Sequence, residues 1–201
     1  GGQDERIPYD PRAPYHAQVL RSFASSLDHL RTDYVDSYVL HGPLRRDQLA
    51  PADHEVWRAM AELHAKGRVR ALGVSNVNLV QLEELVRTQP VKPVFVQNRC
   101  YAATGWDREL RALCREHGIR YQGFSLLTAN RHVLRDARVG SIAARLGATP
   151  AQVVFRFALE VGMLPLTGTS SARHGHEDLA VYDLPPLAPD ERRYLETIGG
   201  G

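Results

Sequence analysis

Cysteine is almost absent from this chain: Cys100 and Cys114 are the only two in 201 residues. So few thiols exclude a disulfide framework and supply no Cys-x-x-Cys pair for a metal. The expectation is two reduced thiols in a cytoplasmic protein without a metal site. Long apolar runs are missing too. None approaches the ~20 residues that a membrane-spanning helix needs, and no signal peptide opens the chain, so no membrane association is expected. Charge of one sign is not in excess: 25 basic residues face 23 acidic ones, and no helix carries a basic stripe. A nucleic-acid partner is therefore not expected. Low-complexity segments are lacking. No Gly-x-Gly-x-x-Gly turn follows any apolar run, which argues against the dinucleotide fold built on that turn.

What is present is a rhythm. Hydrophobic residues make up 43% of the chain, ample for one globular unit spanning residues 1–201. Five short apolar runs end in polar residues: Tyr38-Val39-Leu40-His41, Leu72-Gly73-Val74-Ser75-Asn76, Val94-Phe95-Val96-Gln97-Asn98, Tyr121-Gln122-Gly123-Phe124-Ser125 and Leu164-Pro165-Leu166-Thr167-Gly168-Thr169. Near-continuous apolar strands suit a parallel sheet covered by helices, since both strand faces are then buried. Polar groups recurring at strand ends suit an active site assembled at one end of a barrel.

Helices are predicted between these runs. One begins near Pro14, with Val19, Leu20, Phe23, Leu27 and Leu30 at helical spacing, and a second spans about His54 to Lys66. A third carries Leu79, Leu82 and Leu85, and a fourth covers about Arg108 to His117 with Leu110, Leu113 and Cys114 inward. Two helical pieces meet at Gly147, the second capped by Thr149 with Pro150 in its first turn. A short helix lies near Arg173 to Leu179, and a last one starts near Pro189. Five βα units in series predict an α/β fold with right-handed crossovers. The pattern alone fits an open doubly wound sheet or part of a barrel equally well.

Several stretches are similar to one known family. Asp33 through Pro43, containing Tyr38-Val39-Leu40-His41-Gly42-Pro43, resembles the segment of aldo-keto reductases that carries their active-site His. Trp57 through Asn76, ending Gly73-Val74-Ser75-Asn76, is similar to that family's second signature. The likeness continues through Gln97, Glu116-His117-Gly118-Ile119, Phe124-Ser125-Leu126-Leu127, Thr149-Pro150-Ala151-Gln152-Val153 and Gly168-Thr169-Ser170, in the family's order.

The resemblance implies a partial (β/α)8 barrel, the five strands here corresponding to the fourth through eighth. It implies reduction of aldehydes or ketones with NADPH or NADH, and a small-molecule carbonyl substrate. Of the family's catalytic Asp, Tyr, Lys and His, only the His has a counterpart, His41. The other three are expected upstream of Gly1, and neither Tyr9 nor Tyr15 matches the catalytic Tyr in context. Ser75, Asn76 and Gln97 are implied contacts of the nicotinamide carboxamide. Phe124 stands where a Tyr usually stacks on the ring, and Ser125 and Leu127 where the pyrophosphate is contacted. Gly168, Thr169 and Ser170 precede a short helix whose N–H groups suit a phosphate. His174, Glu177 and Asp178 are implied at the adenosine end.

Taken on their own, these residues have plainer readings. Ser75 and Asn76 are good N-caps for the helix that follows, Gln97 is an ordinary strand-end amide, and the Gly168 turn is a plain cap. Gly168 and His174 also replace the Lys and Arg frequent in NADPH-selective relatives, with Arg173 as a neighbouring cation. The rival to an enzyme is a non-catalytic, nicotinamide-binding regulatory relative of the same fold. An unrelated phosphate-binding barrel would leave Ser75, Asn76 and Gln97 unexplained together.

Overall fold

The computed structural model describes residues 7–199. In chain order the elements are α1 (Tyr15–Leu30), β1 (Val35–Leu40), α2 (Pro51–Ala65), β2 (Val69–Ser75), α3 (Leu79–Thr88), β3 (Phe95–Arg99), α4 (Arg108–Glu116), β4 (Arg120–Phe124), α5 (Arg131–Leu134), α6 (Ala137–Leu146), α7 (Pro150–Glu160), β5 (Met163–Pro165), α8 (Ala172–Leu179) and α9 (Pro189–Thr197), with 3-10 turns at Ala102–Asp107 and Ala180–Asp183. The strands pair in the order β1-β2-β3-β4-β5. Pairing is parallel, with Val35 opposite Val69 and Leu40 opposite Val74, and Tyr121 opposite Met163 and Gly123 opposite Pro165. The chain is organised as two compact units, Gly1–Val96 and Gln97–Gly201.

In the first unit, α1 buries Val19, Phe23 and Leu27, one turn apart on a single face, whereas Leu20 is half-buried and the expected Leu30 is exposed, at the helix end where the chain turns away. The Phe23 ring meets Tyr38 of β1 edge-on at 5.3 Å. The next helix, α2, begins at Pro51, earlier than the expected His54, because Pro fits the first helical position and Asp53 satisfies the amide before it. Trp57 is fully buried and donates its indole N–H to Val91 O at 2.9 Å. At Gly73 a side chain would press on Val39 and Phe95, which would have to give by a few tenths of an ångström, so glycine eases the close approach of β2 to its neighbours.

The second unit is centred on Trp106, fully buried, tilted against Phe157 at 5.3 Å and donating to Leu195 O at 2.7 Å. Gly105, Trp106 and Asp107 all sit in the left-handed region, with φ of 68°, 57° and 51°. Gly199 in turn lies so close to Ala102 that a side chain there would overlap its backbone. Capping by Thr149 and Gln152 starts α7 as expected. Three elements escaped sequence reading, the 3-10 turns at Ala102–Asp107 and Ala180–Asp183 and the single-turn α5, all too short to carry a periodic signal. On α4 the expected inward Leu113 is half-buried, and Arg111 takes its place in the interior.

Candidate functional site

The parallel register of β1 and β2 brings their carboxyl ends together in the first unit. His41 follows β1, Ser75 closes β2, and Asn76 donates its side-chain amide to His41 O at 2.7 Å and to Ser75 Oγ at 3.1 Å. Ser75 is buried, while Asn76 is exposed with φ of 55°, a conformation that Asn tolerates better than most residues. Neither caps α3, contrary to their plainer reading. Asn78 does, accepting from Gln81 N at 2.8 Å while Gln81 Oε1 accepts from Asn78 N at 3.0 Å.

The loop after His41 is anchored by residues that sequence reading missed. Asp53, 4% exposed, accepts from Leu44 N at 3.0 Å and Ala50 N at 2.7 Å. Gln81 Nε2 donates to Arg45 O and Asn78 Nδ2 to Arg46 O, both at 2.8 Å. The Asn-x-x-Gln spacing ahead of an apolar helix was the available signal. His41 is exposed, and it lines a cavity of about 360 Å³ together with Tyr9, Tyr15, Tyr38 and Asp53. Burial pushes the Tyr38 hydroxyl above the ordinary tyrosine range, against a smaller opposing pull from Ser22.

In the second unit, Gln97 of β3 donates to Gln122 Oε1 of β4 at 2.7 Å, pairing two amides across neighbouring strands. Phe124 ends β4 half-buried, its carbonyl accepting from Cys100 N at 3.1 Å. Ser125 follows at φ 57° and turns the chain toward Leu127. Leu127, Gly168, Thr169, His174, Glu177 and Asp178 line one cavity of about 450 Å³, and Arg173 joins them. Gln97, Phe124, Ser125 and Ser170 are not among its lining residues.

This cavity opens at the start of α8. Ser171 caps that helix, accepting from His174 N at 3.3 Å, and Thr169 Oγ1 accepts from Ser171 N at 3.0 Å. Arg173 is 3.7 Å from Glu177 and 3.2 Å from His174 Nε2, and Thr167 donates to Asp178 at 2.9 Å. Gln152 of α7 ties the far side by donating to Glu177 O at 2.8 Å. Exposed backbone N–H groups at a helix start, beside Arg173 and His174, fit a phosphate-bearing ligand. Glu177 and Asp178 add carboxylate acceptors to the same wall.

Burial also isolates a polar cluster that no sequence pattern announced. Asp107 accepts from Tyr121 OH at 2.7 Å and Asn98 Nδ2 at 3.1 Å. Burial pushes the Cys100 thiol up to about 12, reinforced by Asp107, and does the same to Cys114. Both cysteines are free and buried, so neither presents a thiolate at neutral pH. Among the described residues no helix is long and apolar enough to cross a membrane.

Residues 11–199 match the aldo/keto reductase family. The chain belongs to that family. It is 30% identical over 166 residues to the glyoxal reductase of Bacillus subtilis, covering 83% of this chain and 58% of that protein. It is 32% identical over 185 residues to the D-galacturonate reductase of Fragaria ananassa, covering 83% of this chain and 57% of that one. An aldo/keto reductase from Brucella melitensis superposes with a TM-score of 0.80 at 29% identity, over 91% of this chain and 67% of that structure. This member thus spans a little under three-fifths of the length of the two reductases it matches. Its five parallel strands match part of the family's barrel structures.

Proposed function

We propose that this aldo/keto reductase chain serves NAD(P)H-dependent reduction of aldehydes or ketones to alcohols. Residues 1–201 then form one partial barrel domain holding its fourth to eighth strands. The observation that carries the reading is the union of His41 with Ser75 and Asn76 at the ends of adjacent strands. The positions that resemble the family's substrate-orienting and carboxamide-binding residues are held together there by direct hydrogen bonds.

A nicotinamide held by these residues would supply the hydride that a carbonyl carbon needs. On this chain, the His41 ring is exposed and makes no hydrogen bond among the described residues, so it is free to hold the carbonyl oxygen. Asn76 has committed its N–H donors to His41 O and Ser75 Oγ, which leaves its Oδ1 to accept from a carboxamide. Gln97 is the third carboxamide contact, and the half-buried Phe124 offers a ring face for stacking. Ser125 and Leu127 accompany the pyrophosphate. The start of α8, with Gly168, Thr169 and Ser170, receives the adenosine-side phosphate, flanked by His174, Glu177 and Asp178. The proton that completes the alcohol comes from a residue with no motif match in this chain.

Fluorescence titration with NADH and NADPH, followed by nicotinamide absorbance with aldehyde and ketone panels, tests the reading. Saturable cofactor binding that weakens in Asn76→Ala is expected, and absence of any cofactor binding would refute it. The second reading is a non-catalytic, nicotinamide-binding relative of the same fold, and cofactor binding without reduction distinguishes it.

A further inference from the structure

We infer that the cavity of about 350 Å³ at the amino ends of β4 and β5 binds the phosphate group of a small soluble molecule, independently of the site proposed for the cofactor. Arg111, Arg115 and Arg120 all line it, and none of its lining residues is acidic. Arg111 and Arg115 lie one turn apart on α4 and so share a helix face, and Arg120 opens β4.

Arg111 is the informative member. It is 7% exposed, donates from Nε to Trp106 O and from Nη1 to Val161 O, each at 2.8 Å, and leaves Nη2 buried without a hydrogen-bond partner. A buried guanidinium donor without an acceptor is uncommon, because its lost hydration goes uncompensated. Arg115 and Arg120 are exposed, and among the described residues neither forms an ion pair. The α4 and α7 helices also end here, and their terminal carbonyls disfavour anions. Arg111 already neutralises one such carbonyl, that of Val161, which leaves two further guanidinium groups uncommitted. Guanidinium forks match phosphate oxygens in pairs, and three of them exceed the charge of a phosphate dianion.

The rest of the wall is apolar, including Ile119, Leu159 and Met163, and the volume exceeds that of the ion itself. The best-fitting ligand is therefore a phosphomonoester with a short apolar body.

The test uses the 201-residue chain and inorganic phosphate at constant ionic strength. Thermal unfolding followed by tryptophan fluorescence should shift upward saturably with phosphate. The Arg115→Gln/Arg120→Gln double variant should weaken the apparent affinity by about tenfold or more. Arg173→Ala, at the α8 cavity, should leave in place the part of the shift that the double variant removes. No response to phosphate overturns the proposal, as does a response that survives the double variant but vanishes in Arg173→Ala. Loss of cofactor binding alone leaves this phosphate response untouched. If circular dichroism shows that the double variant misfolds, each single variant is compared by phosphorus NMR line broadening instead. Co-sedimentation with phosphatidic acid vesicles would overturn the assignment to a soluble ester.

Discussion

Asn76 holds the backbone of His41 by a 2.7 Å hydrogen bond from its side chain, linking the ends of β1 and β2. The same residue sits at φ 55°, so its amide and its backbone shape both serve the junction. The two contributions separate by mutation. Asn76→Gly keeps the backbone accessible and removes the amide, and should cost roughly 0.5–1.5 kcal/mol of stability. Asn76→Ala adds about 1 kcal/mol more for the left-handed conformation. Urea unfolding of the two variants measures the difference, and equal losses would show that the backbone shape contributes nothing.

Acid should unfasten α9 from α6. Glu191 accepts from Arg145 Nε at 2.8 Å and from Ala188 N at 2.8 Å, and the Arg145 hydrogen bond above all holds its carboxyl below the usual glutamate range. A carboxylate depressed in the folded state stabilises fully above its unfolded pKa, and that gain is lost as pH falls through the folded value. Stability should therefore decline below the ordinary glutamate range. Arg145→Gln should flatten this acid limb, as read from melting temperature against pH. A variant with an unchanged acid limb would assign the decline to other carboxylates, such as Asp136, whose pKa is also lowered.

Cofactor discrimination should be weak. Gly168 brings no charge to the α8 cavity, and Arg173 is shared with Glu177 and His174. One charge-assisted contact fewer corresponds to about 1.5–3 kcal/mol, or roughly tenfold or more in NADPH affinity relative to a selective relative. The titrations should give NADH and NADPH dissociation constants within about tenfold of each other. A preference for NADPH on the order of a hundredfold, abolished by Arg173→Ala, would show that Arg173 leaves Glu177 to clamp the 2′-phosphate.

The 201-residue chain alone should reduce carbonyls slowly, because His41 can orient an oxygen without supplying the proton that an alcohol needs. Tyr9 and Tyr15 line the same cavity as His41, which makes them the residues to watch. Turnover near that of a full-length family member, lost in Tyr9→Phe or Tyr15→Phe, would show that one of them donates the proton.

The strand core was legible because parallel strands buried on both faces leave long apolar runs. Val35–Leu40 forms a strand over the range expected. Helix starts were less so: α2 begins at Pro51 because buried Asp53 caps it, and Ala50 in the cap position gives no side-chain signal. The candidate site was readable only at strand ends, where His41, Asn76 and Gln97 interrupt apolar runs. What stayed hidden depends on partners distant in sequence. Gln122 pairs with Gln97, and Arg111 goes inward because Trp106 O and Val161 O accept from it. A periodicity that counts Arg as polar must place Leu113 there instead.

The left-handed turn through Gly105, Trp106 and Asp107 has a consequence for how the polypeptide is made. For Trp106 and Asp107 that backbone is uphill by about 1–2 kcal/mol each, so the turn needs its tertiary contacts to persist. One of those contacts is the Trp106 indole on Leu195 O, 89 residues later. A nascent chain that has not yet exposed α9 lacks this contact, so the second unit should remain protease-sensitive until α9 is released. Arrested nascent chains ending before Pro189 should be cleaved near residues 102–107, and full-length ones spared. In these terms α9 is a latch, holding shut a turn made about 80 residues before it.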